Sequence, residues 1–224
     1  MNFKSLIVAV SLFFLPLLGW SIDTTLTVNL KDGTKAIIRP VTGNPQDKKA
    51  MYTIFKDADT CRTMRDGTLW PDKSIDNTYA YYLANWQTFN DLESLGIKDP
   101  QLTFGFIIVS PEGKIMGFGG IQNSTREEPY KELYFAFLPP YRNKGLGKQL
   151  GQFLMKFHKS IFGNQILEAI IVPDNTPSKI LMTKLGFSPR LDAHGNPMSH
   201  RFPRWGNRLY DIYRYTPPKL SSRK

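Results

Sequence analysis

Apolar and polar residues alternate at two places in the first half of the chain, and this pattern predicts two β-hairpins. Residues 26–30 alternate, a turn follows at 31–34, and a second apolar run covers 36–40. Further along, a β-rich run at 104–109 and a returning run at 115–121 are separated by a turn that contains proline and glycine. Such runs joined by short turns are typical of antiparallel neighbours.

Four other segments carry apolar residues at the three- and four-residue spacing of an amphipathic helix. They cover residues 44–58, 72–95, 146–162 and 177–185. Gly163 and Gly186 follow the last two segments, and glycine at such a position is typical of a helix C-terminus. The aromatic stripe of the second segment is interpreted as core packing.

Further strands are predicted in the second half, at residues 132–138, 167–172 and 209–215, with 187–188 as a possible partner of the last. A helical segment connects the first two of these strands, so they are expected to lie parallel, unlike the hairpins. The chain is therefore predicted to form one α+β domain over residues 22–224. Its central sheet should be mixed, mostly antiparallel and flanked by helices.

Residues 1–21 have the pattern of a signal peptide. Lys4 gives a basic start, residues 6–18 are almost uninterrupted apolar residues, and Gly19 and Ser21 supply the small residues of a cleavage site. The apolar run of 13 residues is shorter than the roughly 20 that a helix needs to cross a bilayer. We expect export to the periplasm or the exterior after cleavage. A membrane anchor, or a cytoplasmic chain whose apolar segment packs on the domain, is the alternative.

Charge and cysteine content narrow the possible functions. The net charge of +10 favours an anionic partner, such as nucleic acid, a lipid surface or a phosphate-bearing cofactor. No run of five like charges occurs, so a solvated basic surface is the alternative and no nucleic-acid partner is expected. Cys61 is the sole cysteine, which excludes an internal disulfide framework, and no Cys or His spacing predicts a metal site.

The turn between strand 132–138 and the following helix carries the main chemical signal. Gly145 and Gly147 have no side chain that would block an approach to the backbone, and the first N–H groups of a helix have no intrahelical partner. Positive charge is added by Arg142, Lys144 and Lys148. Such a turn can bind phosphate groups. A plain strand-to-helix connection is the alternative, because a glycine pair alone is a weak motif.

The same residues resemble a motif of the GNAT superfamily of N-acetyltransferases. The family's acetyl-CoA motif, Arg/Gln-x-x-Gly-x-Gly/Ala after a strand, is matched at residues 142–147. Residues 175–187 are similar to a second family motif, Asn-x-x-Ser followed by Lys-Leu-Gly-Phe, and are most like the branch of ribosomal-protein alanine acetyltransferases. Residues 38–42 resemble the family's first strand, so the likeness extends from about residue 26 to residue 215.

The resemblance implies that the chain binds acetyl-CoA as a co-substrate and uses no metal. The residues that would hold acetyl-CoA are Phe137, Leu138, Arg142, Asn143, Lys144, Gly145, Leu146, Gly147, Lys148, Asn175 and Ser178. It also implies direct transfer in a ternary complex, with the backbone beside Phe137 donating to the thioester carbonyl. A positioned amine then needs only orientation, loss of a proton and stabilisation of the oxyanion.

The motifs define the proton-transfer groups less well. Many relatives carry a tyrosine general acid where this chain has Met182. Its possible replacements are the tyrosines near the central strand, which are Tyr130, Tyr134 and Tyr141. Tyr141 and Glu132 are the candidate catalytic pair, with Glu127 and Glu128 as further carboxylates just before Glu132. A solvated surface carboxylate is the alternative for each glutamate.

Two functions fit these observations. The first is an N-acetyltransferase that acts on an amine of a small molecule or peptide, and the second is a catalytically silent GNAT-fold module with a basic binding surface. Met182 and the export signal favour the module, because acetyl-CoA is scarce outside the cytoplasm, whereas the intact glycines favour the enzyme. An exported bacterial protein that works inside a host would reconcile both. Loops 57–74 and 190–208 should select the substrate, and membrane contact is expected only through an uncleaved N-terminus.

Overall fold

The computed structural model describes residues 22–126 and 129–217. The predicted signal peptide at 1–21 lies outside the described residues, as do Glu127 and Glu128. Within the described ranges, no helix combines the length and the apolar character needed to span a membrane.

Five α-helices form in the described part of the chain. They are α1 (Pro45–Phe55), α2 (Ala58–Cys61), α3 (Asp72–Ser94), α4 (Leu146–Phe162) and α5 (Thr176–Lys184). The four predicted helices are confirmed. The sequence pattern did not distinguish the single-turn helix α2 from the first predicted helix. It begins anew because the Asp57 side chain accepts a hydrogen bond from the Thr60 N–H at 2.7 Å, which caps its N-terminus.

Nine strands form one sheet within the described residues. They are β1 (Leu26–Asn29), β2 (Lys35–Pro40), β3 (Phe104–Val109), β4 (Ile115–Asn123), β5 (Lys131–Phe137), β6 (Leu167–Ile171), β7 (Ser188–Pro189), β8 (Ser199–Phe202) and β9 (Arg208–Tyr215). Strand β8 was not predicted, because only Phe202 of its four residues is buried and the segment shows no apolar alternation.

The strand order is β1-β2-β3-β4-β5-β6-β9-β7, and β8 also pairs with β9. Only β5 and β6 run parallel; every other pair is antiparallel within the described residues. The predicted mixed, mostly antiparallel sheet and the α+β class are thus confirmed. The parallel pair arises because α4 connects β5 to β6 and returns the chain to the same end of the sheet.

Helices cover both faces of the sheet. Phe55 of α1 meets Phe118 of β4 at a ring-centroid distance of 5.5 Å. The next residue, Gly119, faces α4, where an added Cβ would lie 2.9 Å from a methyl group of Leu150. Because successive strand residues point to opposite faces, α1 and α4 pack on opposite sides of β4. This packing fixes both edges of β5, the strand that positions the site.

Candidate functional site

A gap opens between β5 and β6 shortly after they pair. Their register has only two steps, Lys131 with Leu167 and Glu132 with Glu168. The Leu138 N–H donates to the Met116 carbonyl on β4 at 3.0 Å, so strand alternation turns the backbone groups of Phe137 away from β4 and toward the gap. A cleft of about 1100 Å³ passes through this gap. The splayed strand that the resemblance implied is therefore present.

One end of the cleft lies at the N-terminus of α4. Gly145 is the N-cap with φ at +87° and provides no side-chain cap, so the first N–H groups of this 17-residue helix lack a capping side chain. A Cβ on Gly147 would lie 2.7 Å from a methyl group of Leu181. Lys148 and Lys31 line the same end. Free helix N–H groups flanked by lysines suit a pyrophosphate. This end of the cleft, formed by the Gly145 turn and the start of α4, is called the phosphate end below.

Most of the predicted acetyl-CoA residues line the cleft. Those that do are Phe137, Arg142, Asn143, Gly145, Gly147, Lys148, Asn175 and Ser178. Leu138, Lys144 and Leu146 do not. Leu146 is 1% exposed and belongs to the core, Leu138 is held against β4 through its N–H, and the Lys144 ammonium pairs with Asp32 at 2.8 Å.

The Arg142 guanidinium makes two contacts within the protein that its sequence position did not suggest. Its Nε donates to the Phe137 carbonyl at 2.9 Å, and its Nη2 donates to the Thr60 hydroxyl at 3.0 Å. The guanidinium thereby fixes the end of β5 to α2. Lys31 was missed by the sequence analysis. It reaches the site because its N–H donates to the Lys144 carbonyl at 3.1 Å, and no local signal marks this long-range contact.

Glu132 lies at the other end of the gap and is buried, with 1% of its surface exposed. Its carboxylate accepts hydrogen bonds from the Thr125 N–H and hydroxyl, both at 3.0 Å, and from the Gln122 amide at 3.3 Å. Burial raises the pKa of Glu132 although these hydrogen bonds oppose the shift. The surface-carboxylate interpretation of Glu132 was wrong, because strand pairing on both sides encloses it.

The neighbouring carboxylate, Glu168, is in a contrasting environment. It is fully buried, and Arg214 donates to it at 2.8 Å while Arg126 and Arg190 form further ion pairs with it. The donors that reach Glu132 are neutral groups, and Glu132 lines the cleft whereas Glu168 does not. Of these two buried glutamates, Glu132 is therefore the one available for proton transfer in the cleft.

The tyrosine candidates are separated in the structure. Tyr141 lines the end of the cleft near α4, and the five residue steps from Glu132 to Phe137 alone span about 16 Å at ~3.3 Å each. Tyr141 and Glu132 therefore could not act on the same proton, and a role of Tyr141 as the acid stays a prediction. Tyr130 packs over the Arg214 guanidinium, 4.7 Å from its ring centroid, and is not a lining residue.

Tyr134 and Met182 lie inside the cleft. The Tyr134 hydroxyl is buried and makes no hydrogen bond of good geometry within the described residues, and burial raises the pKa of Tyr134. Gly120 leaves space for this hydroxyl, because an added Cβ would lie 2.6 Å from it. Met182 is 2% exposed and lines the cleft from α5. Of the three tyrosines proposed as acids, Tyr134 is therefore the one that lines the cleft close to Glu132, two residues along β5.

The far end of the cleft, beyond Glu132, is built from the two loops that were expected to select the substrate. Arg208 of β9 donates to the Arg62 carbonyl at 2.7 Å and to the Arg65 carbonyl at 3.4 Å. The Tyr210 hydroxyl also donates to the Arg65 carbonyl. These bonds attach the 62–70 loop to the 203–210 segment, so the two loops form one wall.

The described residues contain no group of three or more His, Cys, Asp or Glu side chains that could hold a metal ion. Cys61 is buried and its thiol donates to the Phe55 carbonyl at 3.1 Å. None of the cysteine and histidine side chains in the described ranges lines the cleft. The cleft thus offers backbone donors, tyrosines and three carboxylates, of which Glu132 is the buried one.

Comparisons with known proteins agree with this geometry. A family model described as an acetyltransferase (GNAT) domain matches residues 35–188. No curated protein sequence shows a significant match. A GNAT-family acetyltransferase from Bacillus anthracis is similar in structure, with a TM-score of 0.57, 19% identity, and coverage of 85% of this chain and 96% of that one.

Two further solved structures share the fold. The ribosomal-protein-S5-alanine acetyltransferase of Vibrio fischeri has a TM-score of 0.56 and 13% identity, over 87% of this chain and 98% of that chain. Spermidine N-acetyltransferase from Vibrio cholerae, solved with CoA and spermine, has a TM-score of 0.53 and 12% identity, over 80% and 92%. The family model covers more than half of the chain and includes the glycine turn. The chain therefore belongs to the GNAT acetyltransferase family.

Proposed function

We propose that this protein transfers an acetyl group from acetyl-CoA to a primary amine, by direct attack in a ternary complex. The observation that carries the proposal is the continuous cleft, which connects the N-terminus of α4 with the buried Glu132 through the gap between β5 and β6. The glycine turn would bind the pyrophosphate. The pantetheine arm would then lie along the open edge of β5, where the Phe137 N–H faces the gap.

In the transfer step, the amine nitrogen attacks the thioester carbonyl carbon, a C–N bond forms and the C–S bond breaks. Glu132 accepts the proton that the amine loses, directly or through one water. Its raised pKa makes it a stronger base than an exposed glutamate. A backbone N–H on the open edge of β5 would stabilise the developing oxyanion, and the Tyr134 hydroxyl, which lines the same cleft, would donate a proton to the leaving thiolate.

An acyl-enzyme is not part of this mechanism, because no cysteine or histidine of the described residues lines the cleft. Burial also raises the pKa of the Cys61 thiol, which lowers its thiolate fraction. A calorimetric titration with acetyl-CoA tests binding, and release of free CoA thiol over a panel of amines tests turnover. Double-reciprocal plots should intersect, and Cys61→Ala should retain that pattern. Parallel lines or a stable acetyl adduct on Cys61 would contradict direct transfer.

We also propose that the chain is exported through residues 1–21 and matures at about Ile22. The first strand of the domain begins at Leu26, so a chain that starts at Ile22 retains all described elements. It should bind acetyl-CoA as tightly as the full chain does. Mass spectrometry of protein expressed with its own N-terminus tests the cleavage, and recovery of the intact chain in the membrane fraction would instead support an anchor.

A further inference from the structure

The acceptor end of the cleft is the wall formed by residues 62–70 and 203–210, and its charged side chains are mostly arginines. Three arginines line the cleft there, Arg62, Arg65 and Arg204. In the described part of the chain, none of these three forms a salt bridge with a carboxylate. The nearby Asp66 is bonded to the N–H and hydroxyl of Thr68 instead.

Arg65 is held in the wall by stacking. Its guanidinium lies 4.5 Å from the ring centroid of Trp70, and Phe55 stacks on Trp70 at 4.1 Å. The Arg65 backbone is fixed as well, since its carbonyl accepts from Arg208 and Tyr210. A guanidinium that is stacked and fixed in this way loses little further freedom when it binds an anion.

A second arginine–tryptophan pair completes the wall. The Arg204 guanidinium lies 5.1 Å from the ring centroid of Trp205 and donates to the Thr125 carbonyl at 2.9 Å. Thr125 in turn donates to Glu132 through its N–H and its hydroxyl. A single residue therefore separates a cleft-lining guanidinium from the candidate base, so an amine at Glu132 would have its adjacent substituents near Arg204.

Asp59 also lines the cleft, but within the described residues no carboxylate forms a salt bridge with these three arginines, and the buried Glu132 is occupied with the amine. We propose that the acceptor is an amine that carries an anionic group, a carboxylate or a phosphate ester, close to its nitrogen. This inference rests on the proposed acetyltransferase function and specifies its substrate class. Arginine forks bind both kinds of anion through paired N–H groups, whereas a polycation such as spermidine would be repelled.

The test uses pairs of amines that differ only in the anion. Phenylalanine is compared with phenethylamine for a carboxylate, and phosphoethanolamine with ethanolamine for a phosphate, with spermidine as the polycation. Two readouts are taken after acetyl-CoA binding has been measured by calorimetry. The first is kcat/KM from thiol release, and the second is quenching of tryptophan fluorescence in the CoA-saturated protein, which needs no turnover because Trp70 and Trp205 line the cleft.

The anionic member of at least one pair should bind at least tenfold more tightly than its neutral partner, which corresponds to about 1.4 kcal/mol, and should have the higher kcat/KM. Arg65→Gln and Arg204→Gln should each remove most of this preference by raising KM for the anionic acceptor. The KM for the neutral amine should change much less than the KM for the anionic acceptor, and the affinity for acetyl-CoA should stay the same. Arg201→Gln is the matched control, because Arg201 is exposed and does not line the cleft.

Three results would count against the inference. Equal or tighter binding of the neutral members, faster turnover of spermidine, or no quenching by any anionic amine would overturn it while leaving the acetyltransferase function intact if acetyl-CoA binds. Failure of the folded protein to bind acetyl-CoA would remove the proposed function itself, and the inference with it.

Discussion

The two ends of the cleft are built in different ways. The phosphate end is formed mainly by consecutive residues, where the chain leaves β5, turns at Gly145 and enters α4, with Lys31 added from a distant segment. The acceptor end joins three segments that are distant in sequence, around Arg65, Thr125 and Arg204, through hydrogen bonds of β9 side chains and of Arg204. One end is thus a local backbone feature, and the other depends on how the sheet brings loops together.

This difference implies that the two ends should respond differently to mutation. Changes at the glycine turn should affect acetyl-CoA alone, because the first N–H groups of α4 belong to the turn itself. Changes at the acceptor wall should affect the second substrate and leave acetyl-CoA binding intact. Glu132 lies between the two and should affect chemistry more than either binding step.

The largest effect is expected for Glu132→Gln. Loss of a general base costs roughly 10²–10⁴ in rate, and kcat should fall by that amount while the Kd of acetyl-CoA changes little. In the wild type, kcat should also fall as pH drops through the raised pKa of Glu132, and this acid limb should be absent from the variant. Steady-state kinetics across pH measure both. Glu112→Gln, an exposed carboxylate outside the cleft, is the control, and full turnover by Glu132→Gln would exclude the base.

Gly145→Val tests the phosphate end. A branched side chain at φ +87° is strained and obstructs the cradle, so acetyl-CoA binding should weaken by about 1–3 kcal/mol, or roughly 5- to 150-fold. Gly195→Val is a matched control, because Gly195 has φ +83° and nothing within 4 Å of an added Cβ. Both variants should lose similar folding stability in urea. If calorimetry gives the two variants equal affinity for acetyl-CoA, the pyrophosphate does not bind at this turn.

His158 lies outside both ends of the cleft. A variant at His158 can therefore distinguish acid unfolding from a loss of activity caused by protonation of Glu132. Burial, with a smaller effect of the Lys131 charge, lowers the pKa of His158 to about 4. The unfolded chain therefore takes up a proton at His158 below pH ~6.5 that the folded chain does not. The free energy of unfolding should fall by about 2 kcal/mol between pH 7 and pH 5.

His158→Leu should abolish most of that fall, which urea unfolding at the two pH values measures. The exposed His194→Leu should retain it. If the free energy of unfolding of His158→Leu falls as much as that of the wild type, another group causes the loss of stability in acid. The acid limb of kcat would then need a separate stability control.

The smallest effect is expected at the acceptor wall itself, for Arg208→Gln. Loss of its hydrogen bonds to the Arg62 and Arg65 carbonyls should weaken the binding of the amine by about 0.5–1.5 kcal/mol. The KM for the amine should therefore rise roughly two- to tenfold, with no change in acetyl-CoA affinity. Arg201→Gln is again the matched control, since Arg201 also donates to a backbone carbonyl, that of Asn207. A loss of acetyl-CoA binding in Arg208→Gln would show that the two ends are coupled.

The sequence predicted the local features of this molecule better than those that depend on contacts between distant segments. The four longer helices, both hairpins, the parallel pair and the glycine turn were predicted, because each depends on a repeating pattern or on a few neighbouring residues. Strand β8 was missed, because its pairing with β9 is decided by the partner strand and not by its own composition. Likewise, Glu132 has no local mark of burial. Only the pairing of β5 with β4 and β6 encloses it.

The sequence by itself determined that the chain has a glycine turn at the start of a helix and the GNAT order of elements, because a strand exit, two glycines and a helix start need no distant partner. The tertiary structure decided what the surrounding side chains do. It directed the Arg142 guanidinium to Phe137 and Thr60, separated Tyr141 from Glu132 along β5, and stacked two arginines on tryptophans at the acceptor end. The physical reason is that a flexible charged side chain takes its direction from whichever partners the folded chain brings within hydrogen-bonding distance.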